Sequence, residues 1–140
     1  MKNLDSQSLF NIFSQGDEQI YVEHNVSDVL DNSFVLFGMV IRGVENYFII
    51  DQLYQNRYEK QYELVREKIK LKYFSGLMEY LRRIGTIPAD TLYIIEDEFG
   101  GQAIKYALEE MMQFFEQIEY YEQCIVLKKY FDIFFDKKLH

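Results

Sequence analysis

Residues 44–73 read VENYFIIDQLYQNRYEKQYELVREKIKLKY, and their spacing decides the fold class. Tyr47, Ile50, Tyr54, Tyr58, Tyr62, Val65, Ile69 and Tyr73 recur every three to four residues. At that spacing the series lies along one side of an α-helix, with Arg, Lys and Glu on the other. The pattern predicts a helix from about Val44 to Tyr73 that carries an aromatic seam.

Upstream, Phe34 to Ile41 is a short apolar run that fits a buried strand or the start of a helix, and periodicity does not separate the two. Gly38 and Gly43 weaken either assignment, and helix is favoured because the segment that follows is helical. Ser6 to Phe13 reads as a short helix closed by Gly16. Ile20, Val22, His24 and Val26 alternate as a strand does, and Ser27 suits an N-cap. A short strand pair near residues 20–41 therefore stays open. Downstream, a second helix is expected from Leu77, after Gly76, to Ile84, before Gly85. Pro88 suits the first turn of another helix, Pro88 to Phe99, because its missing amide would be unpaired there. Leu92-Tyr93-Ile94-Ile95 could instead be a strand, and Gly100-Gly101 is a sharp break.

The last forty residues read as two helices, Gln102 to Gln117 and Glu119 to Phe135. Ile104, Ala107, Leu108, Met111, Met112 and Phe115 form the inner stripe of the first. Cys124, Leu127, Phe131 and Phe134 form that of the second, and a tight turn would close the two stripes on each other. The expected fold is one mainly α domain over residues 1–140, of five to seven helices and ending in an antiparallel helical hairpin. An α+β arrangement is the alternative. No repeat, low-complexity tract or linker marks a boundary.

Composition supports a folded chain. Of 140 residues, 49% are hydrophobic, with 12 Tyr, 12 Phe and no Trp, and at this length one core forms without disulfide or metal staples. Cys124, the one cysteine, reads as a small buried hydrophobe. The start Met1-Lys2-Asn3-Leu4-Asp5 lacks the apolar stretch of a signal peptide. The run Phe34 to Ile50 is broken by Arg42, Glu45 and Asn46, short of the roughly 20 apolar residues of a membrane span. A cytoplasmic protein with no membrane association is expected. Scarce Ala and Pro beside abundant Tyr, Phe, Ile and Lys suggest an AT-rich bacterium or its phage.

The net charge of −8 is segregated. Residues 1–31 carry six acids against Lys2, and residues 90–123 carry nine against Lys105. Between them lies a basic stripe of Arg57, Lys60, Arg66, Lys68, Lys70, Lys72, Arg82 and Arg83, interleaved with Glu59, Glu63, Glu67 and Glu79. A net-acidic chain is a poor non-specific binder of nucleic acid, whose affinity rests on cation–phosphate contacts.

Tyr121-Glu122, Cys124-Ile125 and Leu127-Lys128-Lys129 follow the order found in the second helix of a UVR-type hairpin. Together with Leu108-Glu109-Glu110-Met111, they make residues 108–129 similar to that family. Phe114 and Phe115 stand where it has small residues, and Lys128-Lys129 where it has Arg-Asp. The resemblance implies a protein-docking hairpin without catalysis.

The residues offer little for catalysis. The two histidines are His24, on the apolar face of the expected strand, and the terminal His140. No HxxxH, CxxC or Glu-x-x-His spacing occurs, which removes the common zinc and di-iron patterns. Glu96-Asp97-Glu98 lacks the spaced loop of a calcium site and would repel phosphate from the Gly100-Gly101 helix start. No cofactor or metal is expected, and an enzyme is disfavoured. The expected function is a non-catalytic protein–protein interaction module: a small acidic adaptor, inhibitor or assembly component with a basic protein partner. Its expected contact residues are Glu109, Glu110, Glu116, Glu119, Tyr120, Tyr121 and Glu122. Surplus aromatics leave room for a homo-oligomer. The alternatives are nucleic-acid association through the basic stripe, a cation-dependent enzyme at Glu96-Asp97-Glu98, and a phage or mobile-element assembly protein.

Overall fold

The aromatic repeat of residues 44–73 belongs to two helices that face each other. The computed structural model describes residues 32–136, which are 89% helical, with five helices and no strand among the described residues. The mainly α fold holds. Helix α1 spans Ser33–Tyr58, and Asn32 caps it, its side-chain oxygen accepting from the Phe34 and Val35 amides at 2.9 and 3.4 Å. The run Phe34 to Ile41 is therefore helical, which removes residues 32–41 from the strand pair considered above. The expected elements over residues 6–13 and 20–26, with His24 and Ser27, lie outside the described residues, as does His140.

Helix α2 spans Lys60–Arg83, separated from α1 by Glu59 alone. The single helix expected over 44–73 is thus two, and the break expected at Gly76 is absent because that residue lies inside α2. Glu59 takes φ 49° and ψ −116°. For a residue with a Cβ this conformation costs about 1–3 kcal/mol, and the contacts between the two helices hold it in place. The chain reverses there. Tyr73 of α2 donates its hydroxyl to the Gly43 carbonyl of α1 at 2.9 Å. Leu77 lies so near Gly43 that an added Cβ would meet its Cδ2 at 2.7 Å. The missing Cβ at Gly43 makes room for the Leu77 side chain against α1.

Helix α3, Ala89–Phe99, starts at Pro88, whose carbonyl accepts from the Leu92 amide at 3.0 Å. Leu92 to Ile95 is helix, and the strand considered there does not form. Phe99 packs on Phe34 of α1, ring centroids 5.5 Å apart, and against Gly38. Gly100 at φ 84° makes the expected break. Helices α4, Gly101–Gln117, and α5, Tyr121–Phe135, form the expected hairpin within two residues of the expected bounds.

All five helices contribute to one core. Phe37 of α1 meets Tyr130 and Phe134 of α5 at 6.1 and 5.0 Å. Phe74 of α2 meets Phe114 of α4 edge-on at 5.4 Å. Each such buried aromatic contributes about 1.5–3 kcal/mol by leaving water. The expected stripe of α4 is buried, with Met112 half-buried. On α5 the expectation missed Tyr130: it is buried and donates to the Leu81 and Ile84 carbonyls at 3.0 and 3.2 Å. The Leu81 carbonyl also accepts from the Ile84 amide at 3.1 Å, so Tyr130 joins the bonds that close the end of α2. By length and composition α1 could cross a membrane, yet half of its most apolar stretch is buried inside the fold, as in a core helix.

Candidate functional site

Three arrangements could carry function, and the first is a polar node between α1 and α2. Asp51 is 3% exposed. Its Oδ1 accepts from the Tyr62 hydroxyl at 2.6 Å and from Arg66 Nε at 2.9 Å, while Oδ2 accepts from Arg66 Nη2 at 2.8 Å. The Tyr47 hydroxyl reaches Oδ1 at 3.4 Å. A buried carboxylate needs such partners, and the two-pronged Arg pair is the strongest of them. Burial and then the hydrogen bond to Asp51 raise the Tyr62 phenol far above its ordinary range; burial and then the Asp51 charge do the same for Tyr47. Both phenols stay protonated, and the node ties α1 to α2. Sequence reasoning missed it, although the signal was there: Asp51 stands four residues after Tyr47, on the seam side of an apolar run.

The second is an open groove of about 480 Å³ lined by Glu63, Arg66, Glu67, Lys70, Phe114 and Gln117. The Lys70 ammonium sits over Tyr47, Phe48, Phe74 and Phe114 at 5.0–5.8 Å from the ring centroids. Burial lowers its proton affinity, and the Glu110 carboxylate works against that. Four ring faces stabilise the cation without supplying an oxygen acceptor.

The third is the α4–α5 turn, where most of the expected contact residues gather. The Tyr120 amide donates to the Phe115 carbonyl at 2.8 Å and the Glu119 amide to the Glu116 carbonyl at 3.1 Å. With Glu119 at φ 62°, this is the Schellman helix end, and the Tyr120 ring stacked on Phe115 supplies its apolar contact. Glycine usually occupies the left-handed position; here Glu119 does, so no glycine marked the turn. Glu116, Glu119, Tyr120, Tyr121 and Glu122 are all exposed around it, Tyr121 at 58%. Glu109 is exposed two turns back on the Glu116 side of α4. Glu110 lies about 100° further round the helix and is half-buried near Lys70. Six of the seven residues are exposed, five of them at or within three residues of the turn, and Glu110 is half-buried.

The remaining candidates separate. Arg66 and Lys70 share one side of α2 and both line the groove, whereas Lys68, Lys72, Arg82 and Arg83 lie on roughly the opposite side at 100° per residue. Arg82 hydrogen-bonds Gln123 of α5. Glu96, Asp97 and Glu98 are exposed and radiate from successive positions of α3. Among the described residues no group of three or more His, Cys, Asp or Glu is placed to hold a metal. Cys124 is half-buried, its thiol directed to the Met112 carbonyl at 3.6 Å, and burial and then the Glu116 charge raise its pKa. That environment disfavours a thiolate. The paired helices have the hairpin shape that the UVR resemblance implies, but no protein-family model, no curated protein and no solved structure matches the chain.

Proposed function

We propose that this chain is a non-catalytic protein–protein interaction module, a cytoplasmic adaptor, inhibitor or assembly component, that receives a basic protein partner at the α4–α5 turn. The observation that carries the reading is the grouping of Tyr120 and Tyr121 with Glu116, Glu119 and Glu122 on a hydrogen-bonded turn. Carboxylates steer a cationic partner in, and tyrosines supply the desolvated contact that holds it. The turn needs little ordering on binding, because the Schellman bonds and the Tyr120–Phe115 stack already fix it.

The test is affinity capture by the tagged full chain from its native lysate, with and without nuclease. It is paired with the triple variant Glu116→Lys, Glu119→Lys, Glu122→Lys. The reading expects a stoichiometric, nuclease-resistant protein that the variant loses while its helical circular dichroism is unchanged. Equal capture by the variant would remove the turn as the contact surface. A catch that disappears with nuclease would favour the nucleic-acid alternative.

A further inference from the structure

The joint between α1 and α2 has two properties that seldom occur together. It is one residue long, Glu59, held at φ 49° and ψ −116°. The seam also keeps its helical spacing straight through it: Tyr54, Tyr58, Tyr62, Val65. An ordinary helix–helix turn contains residues that stop a helix. Here Tyr58-Glu59-Lys60-Gln61 contains none, and Glu and Lys are good helix formers. The local sequence therefore prefers to continue the helix that the tertiary contacts bend back.

We infer that two copies of the chain exchange α1 by straightening at Glu59, so that residues 33–83 become one continuous helix in each copy and the fold reforms between chains. Each lobe of this dimer holds α1 of one protomer and α2–α5 of its partner. Every contact of α1 described above is kept, with its two ends now on different chains: Asp51 with Arg66 and Tyr62, Gly43 with Tyr73 and Leu77, Phe37 with Tyr130 and Phe134. The strained conformation at Glu59 is exchanged for a helical one. Short hinge loops under strain favour such exchange, and the closed two-fold product needs no new surface. The occupant of the α1 binding face in this state is a second copy of this chain. The inference stands apart from the proposed function, because the α4–α5 turn is exposed in both forms.

The experiment measures mass by light scattering after size exclusion, on wild-type chain refolded at micromolar and at near-millimolar concentration. Two hinge variants accompany it. Glu59→Ala bears the same Cβ strain in the bent conformation and is the stronger helix former. Insertion of Gly-Gly-Ser after Glu59 lengthens and relaxes the turn. The expected result is a dimer of twice 16.9 kDa that grows with refolding concentration, is enriched about two- to fourfold by Glu59→Ala and disappears with the insertion. Its return to monomer on dilution would be slow, because exchange requires unfolding. In a mixed-label dimer, isotope-filtered NOEs should connect Gly43 of one protomer with Leu77 of its partner. A Glu59→Ala chain that remains monomeric at every concentration would overturn the inference. So would a dimer that survives the insertion, or one whose Gly43–Leu77 contact is wholly intramolecular.

Discussion

Replacing Asp51 with Ala tests whether the node between α1 and α2 holds the hairpin closed. The substitution removes the acceptor of Tyr62, a fully buried hydroxyl, and a stranded buried donor costs about 1–3 kcal/mol. Arg66 loses a two-pronged partner, but its side chain is 41% exposed and recovers water, so its share is about 0.5–1 kcal/mol. The Tyr47 bond, at 3.4 Å, adds little. Together these give a loss of about 2–4 kcal/mol. With a urea slope of about 2 kcal/mol/M, the unfolding midpoint should fall by about 1–2 M at unchanged slope. Tyr62→Phe alone should cost about 1 kcal/mol. Combined with Asp51→Ala it should cost clearly less than the sum, because the stranded donor is then gone. A loss under about 0.5 kcal/mol for Asp51→Ala, or strict additivity with Tyr62→Phe, would refute the reasoning.

Alkali should act on the same node. Tyr47 and Tyr62 have folded pKa values raised above the unfolded value, so their contribution is complete below about pH 10 and is lost as pH rises past it, at about 1.4 kcal/mol per pH unit for each phenol. Urea midpoints at pH 9, 10 and 11 with tyrosinate absorbance should show this, and constant stability over that range would contradict it. Gly76→Ala should stabilise by about 0.5–1 kcal/mol, since nothing lies within 4 Å of its added Cβ in a helix interior. Gly43→Ala should instead lower the thermal midpoint, because its Cβ meets the buried Leu77 at 2.7 Å. Glu119→Gly should stabilise by about 0.5–1 kcal/mol by relieving the left-handed residue of the α4–α5 turn. A lower midpoint for this variant would show that the Glu119 side chain makes a compensating contact.

Helical periodicity made the elements legible, and turn chemistry hid the joints. Pro88 and Gly100 marked the two ends of α3 because each has a backbone preference of its own. The reversals at Glu59 and Glu119 use a residue with no such preference, so a pattern-based reading ran one helix straight through the first. Gly76 misled in the opposite way: an exposed helix interior tolerates glycine at a modest cost. For the candidate site, Glu116, Glu119, Tyr120, Tyr121 and Glu122 are close in sequence, and a tight hairpin keeps them close in space. Glu110 also looked like a member, but one residue's step around α4 points it to Lys70. Local spacing pointed from Asp51 to Tyr47 alone; Tyr62 and Arg66 come from α2, whose reversal at Glu59 the sequence did not disclose.

The buried tyrosines have a consequence that phenylalanines would not. Apolar residues spaced by three and four match themselves again after one turn, so two helices joined only by such a stripe can slide along each other by about 5.4 Å at little loss. Hydroxyls remove that freedom. Tyr62 fits the Asp51 carboxylate, Tyr73 fits the Gly43 carbonyl and Tyr130 fits the end of α2, each in one alignment only. A chain with Phe at all three positions would keep its greasy stripe and its helix content. It would keep the Asp51–Arg66 pair but lose three of the bonds that hold its register, and with them part of what maintains the single arrangement on which its exposed surfaces depend.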